Sequence, residues 1–206
     1  GISVAPADAA LNALTTLNIA NSAATTTLKT TKTSLTLNVD NIIDSTVANL
    51  AAADLDNGAA AKNITTLTIN ATGEDSKFKL TADAVETLTI AAAADLDISH
   101  GSTNLGALKT ATITGAGDVT LGDLSTLANF ATLTASAATG DISAEVDADV
   151  VVTTGSGNDT ITVTTGDTTT AISKAIDLGA GDDTLVLFAG TTAIPTAAVN
   201  GGAGTD

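Results

Sequence analysis

Three stretches near the C-terminal end carry glycine and aspartate at the same spacing. They cover residues 154–162, 178–186 and 201–206, and each fits the template Gly-x-Gly-x-Asp. Glycine permits positive φ, which lets a tight turn aim several carbonyl oxygens at one point. The aspartate adds a charged oxygen, and Ca²⁺ takes about six to eight oxygen ligands. The motif therefore predicts calcium binding. Its nine candidate ligand residues are Gly155, Gly157, Asp159, Gly179, Gly181, Asp183, Gly202, Gly204 and Asp206.

The motif resembles the calcium-binding nonapeptide of repeat-in-toxin (RTX) proteins, in which a parallel β-roll holds ions between equivalent turns of adjacent coils. The resemblance implies that the first motif faces the second and the second faces the third, which gives two sites between coils. Two departures from the family pattern matter. Thr154 and Leu178 replace a leading glycine, and the motifs recur every 22 to 24 residues rather than every nine. The resemblance then implies ions on one side of the solenoid only.

A plain turn is the alternative interpretation of each motif, because a Gly-Asp turn also needs positive φ and an aspartate that caps the backbone. Three motifs in register favour calcium, since turns alone do not require aspartate at the same place each time. Two further stretches, residues 115–118 and 140–141, have the aspartate at a different place. For these two stretches the sequence favours the plain turn.

A short strand phrase repeats along the chain and indicates the fold that must position these turns. It alternates apolar residues with threonine, the period of two expected for a strand with one buried face. The phrases are residues 14–19, 35–39, 67–69, 88–90, 111–114, 131–134, 150–153 and 175–178. From residue 67 onward they begin about 19 to 25 residues apart, the length of one coil in a β-solenoid. The predicted fold is an all-β parallel β-helix (β-solenoid) with Gly-Asp calcium turns toward the C-terminal end.

Short helical insertions are predicted between some strands. Residues 42–53 place apolar side chains on one helical face. Residues 81–85 and 123–130 are each predicted to form a single helical turn, the second with Asp123 as its N-cap.

Turn type divides the chain into three predicted segments. Residues 1–60 begin the solenoid, contain the longest insertion and are a candidate separate subdomain. Residues 61–150 form metal-free coils, and residues 151–206 form the calcium-binding coils. The chain starts without methionine and stops inside a Gly-x-Gly-x-Asp motif, so we expect it to be a fragment of a longer protein.

The composition limits both the core and the partners. The 206 residues include no Cys, Met, Trp or Tyr and only three Phe, so small side chains such as Ala, Val, Thr and Ile are expected to fill the interior. The net charge of −16 argues against nucleic acid and anionic membranes as partners. No apolar run reaches the roughly 18 residues that would predict a transmembrane segment.

Other side chains that could take part in catalysis or binding have simpler interpretations. His100 is the single histidine, and we expect it on the surface rather than in catalysis, because no Cys or second His accompanies it. Lys77 and Lys79 alternate with Phe78, as in a strand with one solvated face. Three carboxylate pairs at i, i+2 have the composition of glycosidase acids but fit solvent-facing positions better. These pairs are Asp54/Asp56, Asp95/Asp97 and Asp147/Asp149.

The whole pattern resembles the RTX-type surface-layer (S-layer) proteins that Gram-negative bacteria export by type I secretion. The shared features are Thr/Ala-rich solenoids, Leu-Thr-Ile phrases, sparse Gly-x-Gly-x-Asp turns, acidic character and no cysteine. The resemblance implies a secreted, non-enzymatic structural protein that requires Ca²⁺ and assembles with copies of itself into a lattice on the cell surface. Anchoring to cell-surface polysaccharide, through regions outside this sequence, is a further expectation.

Two alternatives stay open at this point. An RTX adhesin stalk would share every one of these features. β-Helical polysaccharide lyases and epimerases also carry RTX modules, but their chemistry needs His, Tyr, Lys or Arg beside an acid. A chain with no Tyr and one isolated His favours a structural role.

Overall fold

The computed structural model describes residues 3–4, 14–23, 26–28, 32–43, 52–54, 64–99, 105–164, 171–187 and 195–206. These residues form eighteen strands in two parallel sheets of nine strands each. The chain alternates between the sheets, so each coil contributes one strand to each sheet and pairs with the next coil. The predicted parallel β-solenoid is confirmed.

The even-numbered strands form sheet I and the odd-numbered strands form sheet II. Sheet I contains β2 (Thr16–Ala20), β4 (Ser34–Asp40), β6 (Thr66–Ala71), β8 (Thr87–Ala92), β10 (Thr110–Gly115), β12 (Thr132–Ala138), β14 (Val151–Thr153), β16 (Ile176–Asp177) and β18 (Val199–Asn200). Sheet II contains β1 (Ser3–Val4), β3 (Thr26–Leu28), β5 (Ala52–Asp54), β7 (Ser76–Thr81), β9 (Leu96–Ser99), β11 (Val119–Asp123), β13 (Ile142–Asp147), β15 (Thr160–Thr164) and β17 (Thr184–Leu187).

The strand phrases of the sequence all lie in sheet I. Thr66 pairs with Thr87 and Thr87 pairs with Thr110, so phrases one coil apart stack in register. Leu35 of β4 pairs with Leu67 of β6, although a longer stretch of chain separates them. Strands on both sides of residue 60 are therefore hydrogen-bonded neighbours in one sheet.

Apolar side chains from the inward-facing positions of both sheets fill the interior. Leucine, isoleucine, valine and alanine supply most of it, and Phe78 is the largest fully buried side chain among the described residues. Thr154 is buried, but the other threonines with described side chains are half-buried or exposed. The expectation that threonine lines the interior is therefore wrong. Strand alternation places it on the outer surface, where its hydroxyl keeps contact with water.

The predicted short helices at residues 81–85 and 123–130 are turns. Both segments close by hydrogen bonds between residues three apart, at 3.0 to 3.1 Å. Asp123 does accept a capping hydrogen bond from the Ser125 N–H at 2.9 Å. The buried apolar residues that follow recur at every third position. Turns of this type keep them on one side better than an α-helix with about 3.6 residues per turn.

The longest predicted insertion, residues 42–53, lies mostly outside the described residues. Its last two residues belong to strand β5 rather than to a helix. The part of the chain that the structure describes contains no α-helix, and hence none that could cross a membrane.

Candidate metal site

The Gly-Asp turns lie at one corner of the solenoid, where the chain leaves sheet I and enters sheet II. A turn of the same five positions occurs there in six successive coils, and the coils align position by position. The six turns are residues 92–96, 115–119, 138–142, 155–159, 179–183 and 202–206. We number the positions of this turn 1 to 5 and call the stack of six turns the corner.

Positions 1 and 3 hold glycine or alanine because adjacent coils approach most closely there. A Cβ atom at Gly157 would lie 2.3 Å from the Gly140 carbonyl oxygen, and one at Gly181 would lie 2.1 Å from that of Gly157. Gly181 also has a φ of 144°, which glycine adopts at little cost. Gly157 has no such φ, so close approach alone requires glycine there. The expectation of positive φ thus holds in the second and third motifs but not in the first.

Position 4 forms a ladder of side chains along the outside of the corner. Each member accepts a hydrogen bond from the position-4 N–H of the next coil, as from Asp141 to Asp118 Oδ1 at 2.8 Å. The members within the corner are Asp95, Asp118, Asp141, Asn158 and Asp182, and the last of them accepts from the Thr205 N–H. Asp75 of the preceding coil extends the ladder by accepting from the Asp95 N–H. The displaced aspartates of residues 115–118 and 140–141 therefore cap the backbone of the next coil.

Position 5 points into the solenoid, and its chemical character changes along the chain. Its occupants in chain order are Leu96, Val119, Ile142, Asp159, Asp183 and Asp206. The three apolar side chains are at most 1% exposed. Asp159 is 1% exposed and Asp183 is 4% exposed, whereas Asp206 is exposed. Two carboxylates therefore occupy core positions that the upstream coils fill with apolar side chains.

The aspartates at position 5 also change the hydrogen bonds between coils. Upstream, the position-5 N–H donates to the position-4 carbonyl oxygen of the next coil, as from Val119 to Asp141 at 2.9 Å. In the C-terminal coils this N–H donates to the next position-5 carboxylate instead. Ile142 donates to Asp159 Oδ1 at 2.7 Å, and Asp159 donates to Asp183 Oδ1 at 2.8 Å. The position-4 carbonyl groups of these coils do not receive the hydrogen bond that their upstream equivalents accept.

We call the position-5 side chains of the six turns the inner row of the corner. Two carboxylate oxygens of the inner row are buried without a partner. They are Oδ2 of Asp159 and Oδ2 of Asp183. The nearby Thr154 hydroxyl has one proton, which it donates to the Leu178 carbonyl oxygen at 2.6 Å. A buried polar atom that lacks a hydrogen bond costs about 1–3 kcal/mol, and more when it is charged. These oxygens therefore call for a proton or a cation.

The electrostatics of the inner row also favour a bound proton or cation. Burial raises the pKa of Asp159 and outweighs the lowering effect of the nearby Thr154 hydroxyl and of the backbone N–H groups of Ile142 and Gly155, and the charge of Asp183 adds to the rise. Burial also raises the pKa of Asp183, and the charges of Asp206 and Asp182 add to that rise. Both carboxylates are therefore destabilised in their charged form, a situation that a nearby positive ion reverses.

The donor set of the corner fits a hard divalent cation. Asp159 and Asp183 offer buried carboxylate oxygens, and the position-4 carbonyl groups of Asn158 and Asp182 are relieved of one hydrogen bond. Among the described residues, no three His, Cys, Asp or Glu side chains converge as a metal-binding group. A complete coordination shell would therefore need backbone carbonyl groups, which Ca²⁺ accepts readily.

The structure brings the nine predicted ligand residues into register at this one corner. Position 1 holds Gly155, Gly179 and Gly202, position 3 holds Gly157, Gly181 and Gly204, and position 5 holds Asp159, Asp183 and Asp206. Their role in binding a metal stays a prediction. The sequence interpretation missed the position-4 ladder. The sequence feature that could have revealed this ladder is an aspartate directly before the inward-facing residue in most of these turns.

The remaining candidate residues lie away from the corner's inner row or outside the described part. His100 lies outside the described residues. Lys77 and Lys79 are exposed on either side of buried Phe78, as the alternation predicts. Lys77 forms an ion pair with Asp97 of β9.

Two of the three carboxylate pairs can be placed. Asp95 and Asp149 are exposed, and Asp97 and Asp147 are half-buried. Burial raises the pKa of Asp147, and the charge of Asp149 adds to the rise. The side chains of the pair at 54 and 56 lie outside the described residues.

Comparison with protein-family models, with curated proteins and with solved structures gives no match to this chain.

Proposed function

We propose that the corner binds Ca²⁺ and that the protein is a structural component of a calcium-dependent two-dimensional layer on the bacterial cell surface. The observation that carries this proposal is the inner row of the corner. Asp159 and Asp183 stand in the core at positions where upstream coils have apolar side chains, and each has a buried oxygen without a partner. Buried carboxylates without partners lower the stability of a fold unless an ion supplies the missing contacts.

Calcium fits this corner better than magnesium does. The candidate ligands are carboxylate oxygens together with backbone carbonyl groups of a turn, and Ca²⁺ accepts such mixed and irregular sets. Magnesium demands a nearly ideal octahedron and keeps several of its waters, which the close approach of the coils leaves little room for. The resemblance to the RTX nonapeptide supports the same choice.

Ion binding would act on the stability of the C-terminal coils. Without an ion, Asp159 and Asp183 face each other as desolvated charges across the gap between two coils. With one bound, the same side chains hold the coils together, so binding free energy becomes folding free energy. In a solenoid each coil contacts only its neighbours, so the effect stays local to these coils.

The proposed surface layer rests on the resemblance together with the shape of the molecule. A solenoid of parallel sheets is an extended, regular scaffold, which suits a building block that repeats in a lattice. The absence of cysteine and the acidic composition fit a secreted protein that becomes ordered in external calcium. In this proposal the partners are copies of the same chain and the location is the cell surface.

Electron microscopy of the purified protein tests the proposal. In millimolar calcium we expect regular two-dimensional sheets, and in excess chelator we expect dispersed particles, because the C-terminal coils lose their ions. Magnesium at the same concentration serves as the control and should not replace calcium. Dispersed particles under both conditions would contradict the lattice and favour the adhesin alternative.

A further inference from the structure

The central strands of sheet I present an outer surface that differs from the rest of this acidic molecule. Strands β6, β8, β10, β12 and β14 contain no charged residue at all. Their outward-facing positions hold mainly threonine, half-buried or exposed. We call these outward-facing positions, together with Thr16 of β2 and Ser34 and Thr36 of β4, the threonine face. The two carboxylates on described strands of sheet I lie outside it, Asp40 at the end of β4 and Asp177 on β16.

The threonine face is ordered by the register of the sheet. One column of threonines runs unbroken across seven strands, because each pairs with its equivalent in the next coil. The column consists of Thr16, Thr36, Thr68, Thr89, Thr112, Thr134 and Thr153. A second column beside it consists of Ser34, Thr66, Thr87, Thr110, Thr132 and Val151. β-Branched side chains have few rotamers, so such a surface loses little entropy when it becomes buried.

The other described sides of the solenoid carry charge. The outward positions of sheet II include Lys77, Lys79, Asp97, Asp123, Glu145 and Asp147. The corner carries the aspartates of the position-4 ladder, and the turns opposite carry Asp83, Glu86, Lys109 and Asp149. With a net charge of −16, two copies that meet through carboxylate-bearing sides repel each other.

We infer that the threonine face is the surface through which one copy of this chain packs against another. It is the described side with the longest run of strands that lack carboxylates, so copies can approach there with the least repulsion. A basic partner would be attracted to the acidic sides of the molecule and not to the threonine face. The binding partner at the threonine face is therefore better explained as a second copy of this chain. Two such faces can stack as sheets do, with small side chains interdigitated.

The size of the face fits a lattice contact rather than a stable dimer. Seven strands at ordinary strand spacing give roughly 500 Å², whereas a stable protein interface buries about 800 Å² on each partner. A contact of this size is weak alone and becomes effective when each copy makes several contacts at once. The inference therefore deepens the proposed self-assembly and rests on it for its biological meaning.

Single cysteines test the contact cleanly because the chain has no cysteine of its own. Thr89→Cys and Thr112→Cys place a thiol at the centre of the threonine face, and Thr120→Cys and Thr162→Cys place one on sheet II as matched controls. The calcium-loaded soluble protein is treated with a short bifunctional maleimide. We expect covalent dimers of the sheet I variants to form at least about tenfold faster, because the contact raises the local concentration of the two thiols.

A charge-insertion pair provides the second arm. Thr89→Asp together with Thr112→Asp should slow dimer trapping and prevent sheet formation, whereas Thr120→Asp together with Thr162→Asp adds the same charge to sheet II and should not. Circular dichroism checks that both variants remain folded. Equal cross-linking rates on the two sheets would overturn the assignment of this face, even if the parent forms layers. Selective cross-linking without any layer would instead overturn the proposed function and leave the contact in place.

Discussion

At the scale of single residues, the inner row of the corner combines burial with charge in a way that depends on pH. Asp159 and Asp183 have pKa values raised above 3.8, their ordinary value, chiefly by burial. A carboxylate with a raised folded-state pKa destabilises the fold when it is ionised. The loss begins as the pH rises through 3.8 and is complete once the pH exceeds the folded-state pKa.

In the metal-free protein, the melting temperature should therefore rise as the pH is lowered from about 7 toward about 4. Thermal unfolding in excess chelator measures this dependence. The double variant Asp159→Asn/Asp183→Asn is the control and should show a smaller rise, because its inner row no longer titrates. An equal rise in parent and variant would assign the effect to the exposed carboxylates and contradict the account.

At the scale of the structural element, one five-residue turn serves two purposes depending on its fifth position. With an apolar residue there, as in Val119, the turn closes the core and the backbone hydrogen bond runs from N–H to carbonyl. With aspartate, the side chain takes over that hydrogen bond and adds a buried charge. The rest of the turn is shared, including the small residues at positions 1 and 3. We therefore propose that the residue at position 5 decides whether a coil depends on a cation.

Asp159→Val should convert one coil to the upstream type. The Ile142 N–H would again donate to the position-4 carbonyl group, as the Val119 N–H does. We expect the metal-free protein to gain about 1–3 kcal/mol of unfolding free energy, since an unpartnered buried oxygen is removed. Urea unfolding in chelator measures the gain, and calorimetric titration should show loss of calcium binding at this coil. Destabilisation in chelator would contradict the equivalence of the two turn types.

Much of this element could be predicted from the sequence. Threonine alternation marked the strands of sheet I, and the Gly-x-Gly-x-Asp motifs marked the corner, because both depend on local spacing. Residues 115–118 and 140–141 were identified as related turns with a displaced aspartate, but the hydrogen bond that this aspartate accepts from the next coil was not predicted. That hydrogen bond depends on contacts between coils, which the spacing of residues in the sequence does not reveal. The motif was also defined by an aspartate at position 5, where these turns have Val119 and Ile142. The short helices were predicted wrongly for a similar reason, since packing against the core favours turns with three-residue spacing over helical propensity.

At the scale of the whole molecule, coils with an apolar inner row precede coils with carboxylates in that row, and we propose that only the second group depends on ions. The coils from β6 to β12 bury leucine, isoleucine and valine without any buried charge in the corner's inner row. The coils from β15 onward interrupt that core with carboxylates. Because stability in a solenoid is a sum of local terms, calcium should order the second part and leave the first almost unchanged.

Hydrogen exchange resolved along the chain, with calcium and with chelator, tests this central claim most directly. In the parent we expect calcium to slow exchange in strands β15 to β17 by at least about tenfold, or about 1.4 kcal/mol of local stability, and to leave β6 to β12 unaffected. Asp183→Asn should abolish the slowing, while Asp182→Asn, which removes the same charge one residue away on the outer ladder, should retain it. Slowing that is spread over the whole chain, or that survives in Asp183→Asn, would contradict the account.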